Sequence, residues 1–169
     1  MHIRTKLLIA FASTVTAVVA CEDATGTTAN AHFGGTLTGA KEMPTATTST
    51  ATGTAVLATT AVGGLSYSVT WNGLTGTVTG AHIHGPADAA NTAGVLIDFS
   101  ALPTGSAGQS IVTALNGTAS GTVNLKGAAL FGGITGDSVL KLLNAGKLYV
   151  NVHTAANASG EIRAQILKQ

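Results

Sequence analysis

An all-β, antiparallel fold is what this 169-residue chain predicts, and three observations predict it. The composition is rich in Gly, Ala, Thr and Val with only 9% charged residues, a mixture that favours pleated surfaces joined by glycine turns. Short segments alternate apolar and polar residues, the period of a half-buried strand. Gly-containing breaks separate these segments at a spacing that suggests a Greek-key β-sandwich of about eight strands.

The first segment does not belong to that domain. Arg4 and Lys6 precede an uncharged, mostly apolar run from Leu7 to Val19, the layout of a signal peptide and too short for a comfortable membrane span. Residues 1–20 are therefore predicted to be a leader. They end in Val18-Val19-Ala20-Cys21, which resembles the lipobox of bacterial lipoproteins, with Val18 where Leu is most usual. Cys21 has no cysteine to pair with, so lipidation accounts for it better than a disulfide. Acyl chains there would anchor the protein to a membrane. Glu22 in place of aspartate leans the expected location towards the outer membrane, or the periplasmic face, of a two-membrane cell. Residues 21–31 lack hydrophobic period and read as a flexible tether.

From residue 32 to 169 the chain reads as one domain. Phe33, Gly35 and Leu37 alternate with Gly34 and Thr36. Thr54–Leu57 is a second candidate strand. Leu65, Tyr67, Val69 and Trp71 alternate with Ser66, Ser68 and Thr70, so the former set faces the core. Val78–His84, Val95–Phe99, Ile111–Leu115 and Gly121–Leu125 follow. One helix interrupts the rhythm near 138–145: Asp137 can cap it, Val139, Leu142 and Leu143 form an apolar stripe, and Gly146 can stop it. Leu148–Thr154 and Glu161–Leu167 close the chain. Pairing Val152 with Ile162, Val150 with Ala164 and Leu148 with Ile166 turns all six inward. The other faces then pair Asn151 with Arg163, Tyr149 with Gln165, and His153 with Glu161.

Without the leader, six basic residues face seven acidic ones, a net charge of −1. Nothing in this balance resembles a nucleic-acid-binding surface, so no nucleic-acid partner is expected. No phosphate loop, nucleophile or carboxylate pair stands out. Asp88, Asn91 and Asp98 lack the spacing of a calcium loop. Asn116-Gly117-Thr118 and Asn157-Ala158-Ser159 match a glycosylation triplet without further support.

Three histidines carry the remaining chemistry. His82 and His84, in Ala81-His82-Ile83-His84-Gly85-Pro86, share one face of a strand. His153 lies in Leu148-Tyr149-Val150-Asn151-Val152-His153-Thr154, shortly before Gly160-Glu161-Ile162-Arg163-Ala164-Gln165. Together with Leu37-Thr38-Gly39-Ala40-Lys41-Glu42-Met43-Pro44 and Gly53-Thr54-Ala55, these segments resemble the CHRD domain, found in the growth-factor antagonist chordin and in many bacterial exported proteins. Ala164 stands where that family usually has Gly. The resemblance implies no settled enzymatic activity. Growth-factor binding in chordin is associated mainly with cysteine-rich modules that have no counterpart here.

The expected role is thus a non-enzymatic binding or structural module at the cell envelope, with an unidentified protein or envelope ligand. Two uses of the histidines fit. One is a mononuclear copper or zinc site from His82, His84 and His153, completed by Glu161 or water. The other is a hydrogen-bonded polar group in which His153 meets Glu161, and structural histidines are the commoner case. The His-x-His pair also resembles copper/zinc superoxide dismutase, but that enzyme's fuller histidine set and disulfide are lacking, so dismutase activity is not expected. Glu42 is expected in a turn, with a polar contact to the histidines as the alternative. Arg163 is expected to pair with Glu161 or Asn151 or to hold a loop carbonyl, an anion site being the lesser alternative.

Overall fold

The computed structural model describes residues 30–126, 130 and 133–169. The leader, Cys21 and most of the tether lie outside them. Nine antiparallel strands and one α-helix run in the order β1 (His32–Thr38), β2 (Thr52–Thr59), β3 (Gly64–Asn72), β4 (Val78–His84), β5 (Val95–Asp98), β6 (Ala107–Ile111), β7 (Gly117–Asn124), α1 (Gly136–Asn144), β8 (Leu148–Thr154) and β9 (Ile162–Lys168). The antiparallel all-β class with a single helix is what the alternation and its one interruption dictate.

All nine strands belong to one sheet, ordered β5-β4-β8-β9-β1-β2-β3-β7-β6. The two layers expected of a sandwich are halves of this continuous sheet, because β9 pairs with β1 and joins them. The sheet curls until its ends approach. Tyr67 on β3 stacks on Phe99, just past β5, with ring centroids 4.2 Å apart. The Gln109 side chain of β6 donates to the Phe99 carbonyl at 2.7 Å, tying the two edge strands together. Unpaired strand edges are thereby covered.

The core fills the concave side. Leu65, Tyr67, Val69 and Trp71 are all buried, as their alternation requires. The β8–β9 register is Leu148 with Ile166, Tyr149 with Gln165, Val150 with Ala164, Asn151 with Arg163, and Val152 with Ile162. Burying each such aliphatic side chain contributes roughly 1.5–3 kcal/mol. Helix α1 turns Val139 and Leu143 into the same core.

Two local expectations are corrected. The sixth strand is Ala107–Ile111, and Val112 and Leu115 are exposed apolar residues of the connection that follows. A run of apolar residues there mimics a strand, but Val112 N–H turns back onto the Thr118 carbonyl at 2.9 Å. The helix is capped by Thr135, whose side-chain oxygen accepts from Ser138 N–H at 3.3 Å. Asp137 stands inside the first turn, where its charge complements the helix dipole.

One feature of β8 positions the site. Its outward residues Tyr149 and Asn151 are buried, like its inward ones. The connection after β4 covers them: Arg163 donates to the Asp88 and Asn91 carbonyls at 3.1 and 2.8 Å, and Gln165 to the Ala87 carbonyl at 2.9 Å. A second, polar interior therefore lies behind β4, β8 and β9.

Candidate metal centre

Strand β4 presents Gly80, His82 and His84 to this outer face, and β8 presents Tyr149, Asn151 and His153. The pairing sets Gly80 opposite His153, His82 opposite Asn151, and His84 opposite Tyr149. Gly80 matters because it has no side chain. A Cβ there would lie 2.7 Å from His82 Cε1, so only glycine leaves the His82 ring its place beside His153. The ring centroids of His82 and His153 are 4.9 Å apart, those of His82 and His84 5.4 Å, and those of His84 and His153 5.8 Å. The three histidines do converge.

Their nitrogens divide into two sets. His84 Nδ1 lies 3.0 Å from the Ala93 carbonyl, and His153 Nδ1 lies 3.0 Å from the Ala158 carbonyl. A carbonyl can only accept, so each Nδ1 carries the proton and each Nε2 has its lone pair free. Both Nε2 atoms are buried without a protein partner, and so is His82 Nδ1. One candidate ligand atom from each residue lies within 4.8 Å of the other two. Metal–nitrogen bonds of about 2.0–2.1 Å would set tetrahedral ligand nitrogens about 3.3 Å apart, so modest ring rotations close the site.

Burial favours the neutral form of His84 and His82. Burial pushes the His84 pKa down to about 4, against the Ala93 carbonyl bond, which pulls it up; His82, His153 and Arg163 lower it further. Burial also lowers His82, helped by His153 and opposed by Asp98. Neutral imidazole is the form that binds metal. The His84 ring is further held by parallel stacking on Tyr149, with centroids 4.8 Å apart. The Arg163 guanidinium lies 3.7 Å from the centroid of the same Tyr149 ring. Tyr149 in turn bonds Ala93 through its hydroxyl.

Glu161 is not part of the cluster, contrary to the register expectation. Its carboxylate is buried on the other side of the hairpin end. It accepts from Ser49 Oγ at 2.7 Å, Thr75 N–H at 2.8 Å, Thr75 Oγ1 at 3.0 Å and Thr154 Oγ1 at 2.7 Å. Gly160, at φ +126°, redirects the chain just before β9 starts, so strand alternation does not reach residue 161. Burial pushes the Glu161 pKa up, but the bonds from Thr154, Ser49 and Thr75 outweigh it, and the net shift is downward.

The other polar residues fall beside the cluster. Glu42 is buried and accepts from Asn151 Nδ2 at 3.1 Å, so it joins the histidine face through Asn151 rather than touching a ring. Burial raises the Glu42 pKa to about 7, opposed by the Asn151 bond, the Arg163 charge and the Met43 N–H. Arg163 takes the loop carbonyls, not Glu161 or Asn151. Asp98 sits on β5 directly opposite His82. Gly80 and Asp98 were missed in the sequence. Gly80 had a signal, since it stands two residues before His82 and so shares its face.

Chemically, three imidazoles on adjoining strands, with no thiolate among the described residues, make a nitrogen donor set suited to zinc or copper. His82 and His153 are partly exposed as residues, while the three unpaired ring nitrogens are buried. The molecule is therefore a small antiparallel β domain with a buried, histidine-centred polar face. The CHRD domain family model matches residues 33–166, and the chain belongs to that family. No curated protein and no solved structure matches it significantly.

Proposed function

We propose that this CHRD domain is an exported, lipid-anchored module that binds one copper or zinc ion through His82, His84 and His153 at the cell envelope, without catalysing a reaction. The observation that carries the reading is the set of three buried ring nitrogens without protein partners, on rings that each bring a ligand atom within 4.8 Å of the other two, while the opposite nitrogens of two rings are fixed by carbonyls. A purely structural cluster would satisfy these atoms. Each buried polar atom left without a partner costs about 1–3 kcal/mol, so three together weigh against packing as their sole purpose. Carbonyl bonds on the far nitrogens are also the usual support of metal-ligating histidines. The export and anchor rest on the leader and on Ala20-Cys21.

The test is metal uptake by the untagged full-length protein at pH 7, titrated with zinc(II) and copper(II) against a competing chelator. One ion per chain is expected, with uptake lost in both His84→Ala and His153→Ala. A folded parent protein that takes up neither ion refutes the reading, as does uptake that survives removal of all three histidines.

A further inference from the structure

Two of the three ligand rings have their second nitrogen fixed by a backbone carbonyl; His82 does not. Its Nδ1 is the buried atom without a partner. Its Nε2 lies 3.9 Å from Asp98 Oδ1. Asp98 stands opposite His82 in the β4–β5 ladder, and its Oδ1 is held by Ser100 N–H and Ser100 Oγ, both at 2.7 Å. The carboxylate is therefore fixed to the backbone beside the one ring that lacks an anchor. Other acidic groups near this face are engaged elsewhere: Glu42 with Asn151, Asp88 with Asn91 and Lys147, and Glu161 with Ser49, Thr75 and Thr154.

We propose that Asp98 is the positioning carboxylate of the metal centre, selecting the His82 tautomer that coordinates through Nδ1. The proposal rests on the metal-binding reading above. A neutral imidazole carries one N–H. Coordination through Nδ1 leaves that proton on Nε2, facing Asp98, and a shift of less than about 1 Å brings the pair within hydrogen-bond distance. No proton is gained or lost: the neutral ring keeps its single proton, on Nε2. His82 thus binds through the opposite nitrogen from His84 and His153, whose Nδ1 atoms are committed to Ala93 and Ala158. A carboxylate behind a ligating imidazole makes the ring more basic and fixes its orientation, and loss of such a partner costs about 10–100-fold in metal affinity.

The experiment uses untagged full-length parent, Asp98→Asn and Asp98→Ala proteins. Zinc affinity is measured by chelator competition, and imidazole 15N NMR of the zinc-loaded proteins reports which ring nitrogen is metallated. The expected result is unchanged stoichiometry, affinity about 10–100-fold weaker in both variants, and, in the parent, zinc on His82 Nδ1 with the proton on Nε2. Asp98→Asn keeps an oxygen to accept from the Ser100 N–H and should unfold like the parent when metal is absent, which separates positioning from folding. Parent protein that binds zinc through His82 Nε2, or Asp98 variants within twofold of parent affinity, overturns the role of Asp98 and leaves the metal site standing. Parent protein that binds no zinc or copper overturns both.

Discussion

Glu161→Gln is the substitution that most directly separates what holds this domain together from what it binds. The carboxylate is fully buried and accepts four hydrogen bonds, two per oxygen. They tie residues 49 and 75 to the β8–β9 hairpin. Hydrogen bonds to a charged group contribute about 1.5–3 kcal/mol each, but bonds sharing one acceptor are not additive. Glutamine keeps the shape and one carbonyl oxygen, so Ser49 and the Thr75 N–H can remain bonded. Its amide must then face the hydroxyls of Thr75 and Thr154, each of which already accepts a bond from Asn157. Those hydroxyls have to reverse and lose their charged acceptor. The expected cost is about 2–3 kcal/mol for Gln, and about 3–5 kcal/mol for Ala, which strands the Thr75 N–H. Urea unfolding at pH 7 followed by fluorescence measures it, because Trp71 is the only tryptophan and is buried. The Glu161 pKa is lowered on folding, so its contribution is present above the ordinary value of 4.5 and is lost as pH falls through the folded value. The gap between parent and Glu161→Gln therefore narrows in acid. Metal uptake in folded Glu161→Gln stays at the parent stoichiometry. A loss below about 0.5 kcal/mol for both variants would refute the clasp, and lost metal uptake in a folded variant would return Glu161 to the ligand set.

Three further outcomes are expected. Trp71→Ala removes a core ring whose Nε1 donates to the Ala114 carbonyl at 2.9 Å, and should cost about 3–5 kcal/mol by circular-dichroism-monitored unfolding; a change under about 1 kcal/mol would place it outside the core. Folding raises the Glu42 pKa from 4.5 to about 7, so the folded state is favoured while Glu42 is protonated and loses that advantage as pH rises through this window. Relative to Glu42→Gln, the parent should lose about 1–2 kcal/mol between pH 4.5 and 8, after allowance for solvent screening, and a flat difference curve would contradict the burial argument. Cys21→Ser should release the protein to the soluble fraction or block processing; unchanged membrane partitioning with an unchanged mature N-terminus would remove the anchor.

Strand periodicity made part of this molecule legible. Leu65 to Trp71 could be assigned to a core-facing strand because its two faces differ in kind. The inward faces of β8 and β9 followed because a one-residue slip would turn one strand's aliphatics outward; a slip of two keeps those faces, and the structure shows the unslipped register. The same reasoning failed for Glu161, since alternation holds only within a ladder and residue 161 precedes one, beyond Gly160 at φ +126°. It also turns Tyr149 and Asn151 away from the aliphatic core, onto a face for which periodicity predicts no cover. They are buried because the non-periodic connection from Pro86 to Gly94 folds over them, held by Arg163 and Gln165. No local pattern encodes that cover. His82 and His84 could be placed on one face from sequence, but Asp98 meets His82 only through the β4–β5 pairing.

The unsatisfied polar atoms are unevenly distributed over the domain. Among the described residues, eight buried side-chain atoms lack a protein partner: Glu42 Oε1, Tyr67 Oη, His82 Nδ1, His84 Nε2, Asn151 Oδ1, His153 Nε2, Arg163 Nη1 and Gln165 Oε1. Packing error would scatter them. Seven of the eight belong to the polar face behind β4, β8 and β9, and only Tyr67 lies in the aliphatic core. The core, which fixes the fold, is thus nearly free of such defects, while the face where loops close over histidines gathers them. Natural sequences break the rule of polar satisfaction mainly where function requires it. A cation among the three imidazoles would satisfy the histidine nitrogens at once. The unpaired atoms beside them are three acceptor oxygens, of Glu42, Asn151 and Gln165, and one donor nitrogen, of Arg163, which bridging water can serve. The histidines are accordingly where a ligand for this face is to be sought first.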